Sequence, residues 1–97
     1  MLNDKELAEK LEASPAERVT EEYMNGRIAR KEFVKSGTST TCLIHLDNGF
    51  IVSGFSACAK PENYRQDIGE KISYDNAYRQ LWGFFGFLLV ENGTLVK

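Results

Sequence analysis

Residues 40–82 read TTCLIHLDNGFIVSGFSACAKPENYRQDIGEKISYDNAYRQLW and contain two runs typical of strands, followed by a stretch with helical spacing. Residues 38–46 and 50–55 are rich in β-branched and aromatic side chains, which predicts a β-hairpin. Helical spacing begins near Asn63 and predicts a broad buried side. That side consists of Tyr64, Ile68, Ile72, Tyr78, Leu81, Trp82 and Phe85. The stretch therefore predicts a hairpin covered by a long helix.

The hairpin loop, residues 47–49, reads DNG and allows two pairings of the strands. A two-residue loop pairs Leu46 with Ile51, whereas a three-residue loop with Gly49 in the left-handed conformation pairs Leu46 with Phe50. Because a one-residue slip exchanges the two faces of a strand, this choice decides which side chains are buried. We predict the second pairing, since it gathers one apolar face from Cys42, Ile44, Leu46, Phe50 and Val52.

The opposite face of the hairpin then carries Leu43, His45, Ile51, Ser53 and Phe55. Leaving Leu43, Ile51 and Phe55 in water forgoes about 1.5–3 kcal/mol for each side chain. We predict that these three residues form a homo-oligomer interface, with a two-fold partner as the simplest closed assembly. The alternative cover is the N-terminal helix. His45 lies within this patch, where it either binds a ligand or partner or is a half-exposed strand histidine without a binding role.

Two helices of unequal strength precede the sheet. Residues 1–13 predict a weak helix or a flexible arm, because three leucines bury little area in so short a segment. The SPAE sequence of residues 14–17 predicts a firmer helix start, with a capping box and proline at the first helical position. Thr20 offers a second start. We place this helix at residues 15–28.

The remaining elements complete one domain over residues 1–97, with its core at residues 15–91. A further strand is predicted around residues 32–35, before the hairpin. Gly83 and Gly86 are predicted to end the last helix and to leave a turn and a short apolar segment after it. The order predicts an α+β fold of two layers, α-β-β-β-α, with a three-stranded antiparallel sheet and the helices on one face.

Composition excludes several classes of function. The net charge is −2, whereas proteins that bind nucleic acid usually present a basic surface to the phosphates. Cys42 and Cys58 form no CxxC pair and the chain has one histidine, so no metal motif is present and no cofactor is predicted. Two cysteines and no signal peptide predict reduced thiols in a cytoplasm. The apolar run GFFGFLLV at residues 83–90 is shorter than the ~20 residues that span a bilayer.

Two charged residues, Asp75 and Arg79, interrupt the apolar side of the last helix. Asp75 and Arg79 are spaced i, i+4, and we favour a partly buried structural ion pair between them. In the other interpretation Arg79 binds an anion such as a phosphate or nucleotide, with Asn76 beside it.

Cys58 has no second histidine to activate it as a nucleophile. We therefore predict a protein that is not an enzyme.

The motifs NGF at residues 48–50, SAC at residues 56–58 and NAYRQLW at residues 76–82 occur in this order. Through them the chain resembles a family of small proteins of tailed phages and prophages, of the gp forty-nine and gene sixty-six type. The resemblance covers roughly residues 19–89. The chain departs from the family where Gly83 stands after the tryptophan, a position at which the family tends to have proline.

The resemblance implies a phage or prophage gene expressed in the cytoplasm of a bacterial host, and it implies no reaction. We therefore predict a non-catalytic, homo-oligomeric accessory protein that binds a host protein or a small anionic metabolite, without a membrane partner. The alternative is a nucleic-acid-binding module, because the α-β-β-β-α order is also that of double-stranded-RNA-binding domains. Against this alternative, we predict no binding to duplex RNA or DNA tighter than about 10 μM near physiological salt.

Overall fold

A three-stranded antiparallel sheet in the order β1-β2-β3 forms one layer of the protein. The computed structural model describes residues 1–12 and 16–95. Its elements are α1 (Asp4–Glu12), α2 (Glu21–Arg27), β1 (Ile28–Ser36), β2 (Ser39–Leu46), β3 (Ile51–Ala57), a 3-10 turn (Pro61–Asn63) and α3 (Gln66–Asn92). Helices α2 and α3 contribute Met24, Ala77, Leu81 and Phe85 to one core on a single face of the sheet. The predicted two-layer α+β fold is confirmed.

The hairpin has the three-residue loop. His45 pairs with Ile51, the Leu46 amide donates to the Phe50 carbonyl over 2.9 Å, and Gly49 has a φ of 92°. This register puts Val52 of β3 on the same face as Cys42, Ile44 and Leu46 of β2, and all four side chains are buried against the helices. Phe50 shares that face but is exposed, because it lies beyond the core and packs edge-to-face on Phe84 at 5.3 Å.

The side of α3 that faces the sheet differs from the predicted one. Its buried residues recur every four positions, and three of the five are small: Gly69, Ser73, Ala77, Leu81 and Phe85. The small residues allow the helix backbone to approach β3 at Gly54 and β2 at Thr40. Leu81 and Phe85 confirm part of the prediction. Ile68, Ile72 and Trp82 are exposed, so their predicted burial is wrong, and Tyr64 and Tyr78 are half-buried.

Helix α3 runs without a break through Gly83 and Gly86, so the predicted end of the helix there is wrong. A glycine inside a helix costs only about 1 kcal/mol relative to alanine. The packing of Leu81 and Phe85 in the core outweighs that cost. The helix ends instead at Gly93, which adopts a φ of 75° and donates its amide to the Leu89 carbonyl over 2.8 Å.

Helix α2 begins later than predicted. Thr20 is its cap and accepts a hydrogen bond from the Tyr23 amide over 3.0 Å, while residues 16–20 are not helical. The predicted start at residues 14–17 is therefore wrong for residues 16 and 17, and the rest of that prediction lies outside the described residues. The chain passes directly from α2 into β1, which begins at Ile28 and is longer than the predicted strand.

Helix α1 is the least attached element. Asn3 caps it reciprocally with Glu6, since each residue's amide donates to the other's side chain. None of its residues is buried. This helix lies in the segment for which the sequence predicts a weak helix or a flexible arm, and its leucines are exposed.

Candidate functional site

The side of the sheet that faces away from α2 and α3 is an open surface, which we call the outer sheet face. The register of the three strands places on it Arg30, Glu32, Val34, Thr41, Leu43, His45, Ile51, Ser53 and Phe55. Val34, Ile51 and Phe55 are exposed, with Phe55 at 58%, and Leu43 is half-buried among its neighbours. The predicted exposure of Leu43, Ile51 and Phe55 away from the helices agrees with this arrangement. Their role as an oligomer interface stays a prediction.

His45 has a partner on the neighbouring strand. Its Nε2 atom lies 2.6 Å from Oε1 of Glu32, and the same oxygen is 3.6 Å from Nη1 of Arg30. The hydrogen bond with His45 lowers the pKa of the Glu32 carboxyl, and the charge of Arg30 acts in the same direction. These three residues form a polar rim at one end of the outer sheet face. Glu32 and Arg30 could not be assigned to the site from the sequence, because the register of β1 was unknown.

Asp75, Asn76 and Arg79 do not form a common site. Asp75 pairs with Lys71 over 2.7 Å, and the structure contains no ion pair between Asp75 and Arg79 among the described residues. The predicted structural pair is therefore wrong. Lys71 stands four residues before Asp75 just as Arg79 stands four after it, so spacing alone could not decide between them. Arg79 lies exposed on the side of α3 away from the sheet.

Asn76 takes part in a contact between α3 and the edge of the sheet. Its Nδ2 atom donates to the carbonyl of Phe55 over 2.9 Å, and Nε2 of Gln80 donates to the carbonyl of Ser53 over 2.6 Å. Strand β3 is an edge strand, whose outward carbonyls would otherwise be open to another chain. These amides cover that edge, so the Asn76 side chain is committed to the fold.

A buried arginine joins α2 to the hairpin loop. Arg27 is 6% exposed, its Nε atom lies 2.8 Å from Oδ1 of Asp47, and its Nη1 atom donates to the Tyr23 hydroxyl over 2.7 Å. The guanidinium also lies 5.2 Å from the centre of the Phe85 ring. In the sequence, the only indication that Arg27 makes this contact is its position one helical turn after Tyr23. Arg27 is a structural residue because its charge is enclosed and paired.

The two thiols are not joined by a disulfide. Burial beneath α3 raises the pKa of the Cys42 thiol, which disfavours the nucleophilic thiolate. The Cys58 thiol follows β3 and donates to the carbonyl of Lys60 over 3.1 Å.

Among residues 1–12 and 16–95, no three His, Cys, Asp or Glu side chains gather where they could hold a metal ion. No helix in that part of the chain is long and apolar enough to cross a membrane.

The fold thus defines the class of this protein as an α+β domain with an open sheet face. The model of the Phage protein (N4 Gp49/phage Sf6 gene 66) family matches residues 17–92, and the chain belongs to this family. The match confirms the resemblance carried by the NGF, SAC and NAYRQLW motifs, and it begins after α1. No curated protein and no solved structure matches the chain.

Proposed function

We propose that this phage protein is a non-catalytic accessory protein that acts in the bacterial cytoplasm by binding a host protein through its outer sheet face. The observation that carries the proposal is the set of apolar side chains on that face, where Val34, Ile51 and Phe55 are exposed around the half-buried Leu43. A sheet surface in contact with water usually carries polar side chains. Exposed apolar patches of this kind commonly mark protein-binding sites.

The arrangement of the outer sheet face supports a protein as its ligand. Val34 and Phe55 flank Thr41 in one row across the three strands, and Leu43 occupies the next row of the central strand. The apolar residues thus come from all three strands, with the polar rim of His45 and Glu32 at one end. An apolar centre with a polar rim is the usual anatomy of a protein interface.

The predicted alternative of a small anionic metabolite receives less support. Asn76 donates its amide to the β3 edge and Asp75 binds Lys71, so the two polar side chains expected to act with Arg79 have other partners. Selective anion sites generally combine several donors with a cation. We therefore place the binding function on the outer sheet face.

The alternative of nucleic-acid binding is also less favoured. Lys31 and Lys35 place their ammonium groups 4.7 Å and 4.9 Å from the ring centres of Tyr74 and Tyr64, on the helix side of β1. Both ammonium groups thus face aromatic rings, and the net charge of the chain is −2. A steep, salt-dependent shift of labelled duplex RNA at sub-micromolar protein would favour this alternative over the proposal.

The test is site-specific photo-crosslinking in bacterial cells that express the chain. A photoreactive phenylalanine analogue replaces Phe55 on the outer sheet face or, as the matched control, Phe87 on α3, which is also exposed. We expect one host polypeptide to crosslink from position 55 and not from position 87. The additional substitution Ile51→Asp is expected to abolish that crosslink.

Two results would contradict the proposal. Crosslinks to the same proteins from both positions would show nonspecific contact. A crosslink from position 55 to a second copy of the chain would mean that the outer sheet face is the oligomer interface predicted from the sequence.

A further inference from the structure

The two edges of the sheet differ in how their outward backbone groups are bonded. Strand β3 forms one edge, where the carbonyls of Ser53 and Phe55 accept amide N–H groups from α3. Strand β1 forms the other edge and pairs with β2 on one side only. Backbone groups on the open side of an edge strand are available to a strand of another chain.

The register of the sheet determines which residues of β1 face outward. The Leu46 amide bonds the Phe50 carbonyl, so the even-numbered residues of β2 face β3 and its odd-numbered residues face β1. From position 30 onward, the even-numbered residues of β1 pair with those odd-numbered residues. Lys31, Phe33 and Lys35 therefore direct their backbone N–H and C=O groups away from the sheet. Among the described residues, no group hydrogen-bonds to these outward atoms.

The lysines of β1 and the helix layer leave this edge accessible. Charged side chains often shield an edge strand from other chains. Here the ammonium groups of Lys31 and Lys35 are drawn back over the rings of Tyr74 and Tyr64, at 4.7 Å and 4.9 Å from the ring centres. Helix α3 packs chiefly on β2 and β3. A strand can consequently approach β1 from its open side.

We propose that β1 pairs with β1 of a second copy, so that two sheets join into one of six strands. The pairing is antiparallel about a two-fold axis that passes through Val34. Phe33 then lies opposite Lys35 of the second copy, and the symmetry repeats this pair. Each of these pairs exchanges both of its backbone hydrogen bonds, because the groups of both residues face outward. Val34 meets Val34 of the second copy on the outer sheet face.

The charges on β1 select this axis. Because both copies offer the same alternate residues, an antiparallel ladder requires the axis to pass through a residue of β1. An axis through Lys31, Glu32 or Lys35 sets that charge against itself. An axis through Phe33 sets Lys31 against Lys35 twice. Like charges directly opposite each other destabilise a strand pair, whereas the axis through Val34 opposes none. The strand is thus complementary to itself in one register, which makes a second copy its partner.

Pairing at Val34 also removes an exposed apolar side chain from water. Val34 is 51% exposed in the single chain and ends the row that it forms with Thr41 and Phe55. In the dimer, two such rows join end to end. The two Val34 side chains are close, because opposite residues without mutual hydrogen bonds have the nearest side chains in an antiparallel ladder.

The dimer does not rest on the proposed function and is compatible with it. In the joined sheet, β3 lies at the far edge of each copy, so Phe55 stays distant from the interface. Both outer sheet faces remain open on the same side of the dimer. The proposed host protein can therefore bind each copy.

The test exchanges charges at the axis and measures the mass of the full chain by sedimentation equilibrium. Protomer concentrations of about 1 to 200 μM are compared, since dimerisation depends on concentration. We expect the wild type to be dimeric. Each of Val34→Glu and Val34→Lys should raise the dimer Kd at least about tenfold, because a residue on the axis meets itself and each variant opposes like charges. An equimolar mixture of the two variants should regain the dimer, since a carboxylate then faces an ammonium group.

Ile51 supplies the matched controls. It lies on the same face with a similar exposure of 48%, but on β3, away from the proposed interface. Ile51→Glu and Ile51→Lys should dimerise like the wild type, and circular dichroism checks that every variant is folded. Hydrogen exchange gives a second readout. The amides of Phe33 and Lys35 should become protected as the concentration rises, whereas the Val34 amide, which faces β2, should be protected throughout.

Three results would overturn the proposal. The first is a wild type that is monomeric at about 200 μM, which would leave the β1 edge open to a strand of another protein. The second is dimerisation of both Val34 variants like the wild type. The third is a monomer produced by the Ile51 variants alone, which would place the interface on the outer sheet face. Loss of the host crosslink in a chain that still dimerises would contradict the proposed function and not this dimer.

Discussion

Gly54 of β3 lies directly against the backbone of α3 at Ala77. A Cβ atom at position 54 would stand 2.3 Å from the amide nitrogen of Ala77 and 2.2 Å from the carbonyl oxygen of Ser73. Real Cβ atoms do not approach backbone atoms so closely, so any side chain here displaces the helix from the strand. The distance between the two layers of the fold is set at this point.

We expect Gly54→Ala to destabilise the protein by about 1–3 kcal/mol or more, because the helix must move away from the sheet. Urea unfolding followed by circular dichroism measures the change. Gly26→Ala is the control, since among the described residues no atom outside the neighbouring helix backbone lies within 4 Å of a Cβ at that position in α2. It should be neutral or should stabilise by up to about 1 kcal/mol. Equal stability of Gly54→Ala and the wild type would contradict the close approach.

The ion pair of Arg27 and Asp47 is unequally buried, with side-chain exposures of 7% and 40%. Asp47→Ala leaves an enclosed guanidinium without its carboxylate, and we expect a loss of about 1–3 kcal/mol. Arg27→Met fills the same space with an apolar chain and leaves a carboxylate that water can reach, so its cost should be smaller. Thermal unfolding compares the two variants. A greater loss for Arg27→Met than for Asp47→Ala would show that the arginine acts through its other contacts.

The stability of the folded protein should decrease at acid pH because of a carboxyl group on the outer sheet face. The hydrogen bond from His45 holds the pKa of Glu32 below its ordinary value of 4.5 in the folded chain. A carboxyl with a lowered folded pKa contributes stability above its unfolded pKa, and that contribution is lost as the pH falls through the folded pKa. We therefore expect stability to fall from about pH 5 downward and Glu32→Gln to make this decline shallower.

Denaturant unfolding from pH 6 to pH 3 measures that dependence. His45→Gln should flatten the decline in the same way, and the double variant should add little to either single change. Part of the decline should remain in all of them, because Arg65 also lowers the pKa of Asp67. Superimposable profiles for the wild type and Glu32→Gln would refute the role of the pair.

The amide of Asn76 should be required as a hydrogen-bond donor at the sheet edge. Asn76→Asp replaces the donor with an oxygen facing the Phe55 carbonyl, and we expect a loss of about 1–3 kcal/mol. Asn48→Asp is the matched control, since Asn48 accepts from the Phe50 amide through Oδ1 and a carboxylate also accepts. Chemical unfolding should leave the control near the wild type. Equal losses in the two variants would point to an effect of charge alone.

The sequence by itself determined the order of the elements and the register of the hairpin. Alternation along residues 42–46 and 50–52 permits only one pairing with a single apolar face, and Gly49 supplies the left-handed residue which that loop requires. These are local properties, since side-chain period and backbone conformation are determined by neighbouring residues. The open outer sheet face, with Leu43, Ile51 and Phe55, follows from the same alternation.

Only the tertiary structure decided which side of α3 is buried and which partners its polar residues take. Hydrophobicity favoured Ile68, Ile72 and Trp82 for the core. Close contact between the backbones of α3 and the sheet instead favours the smallest side chains, and Gly54 on β3 makes that contact possible. Asp75 had a cation at equal spacing on either side, and Asn76 found its acceptor on β3. The contacts of Gly54 and Asn76 join residues that are distant in the sequence, so they form only when the two layers have packed.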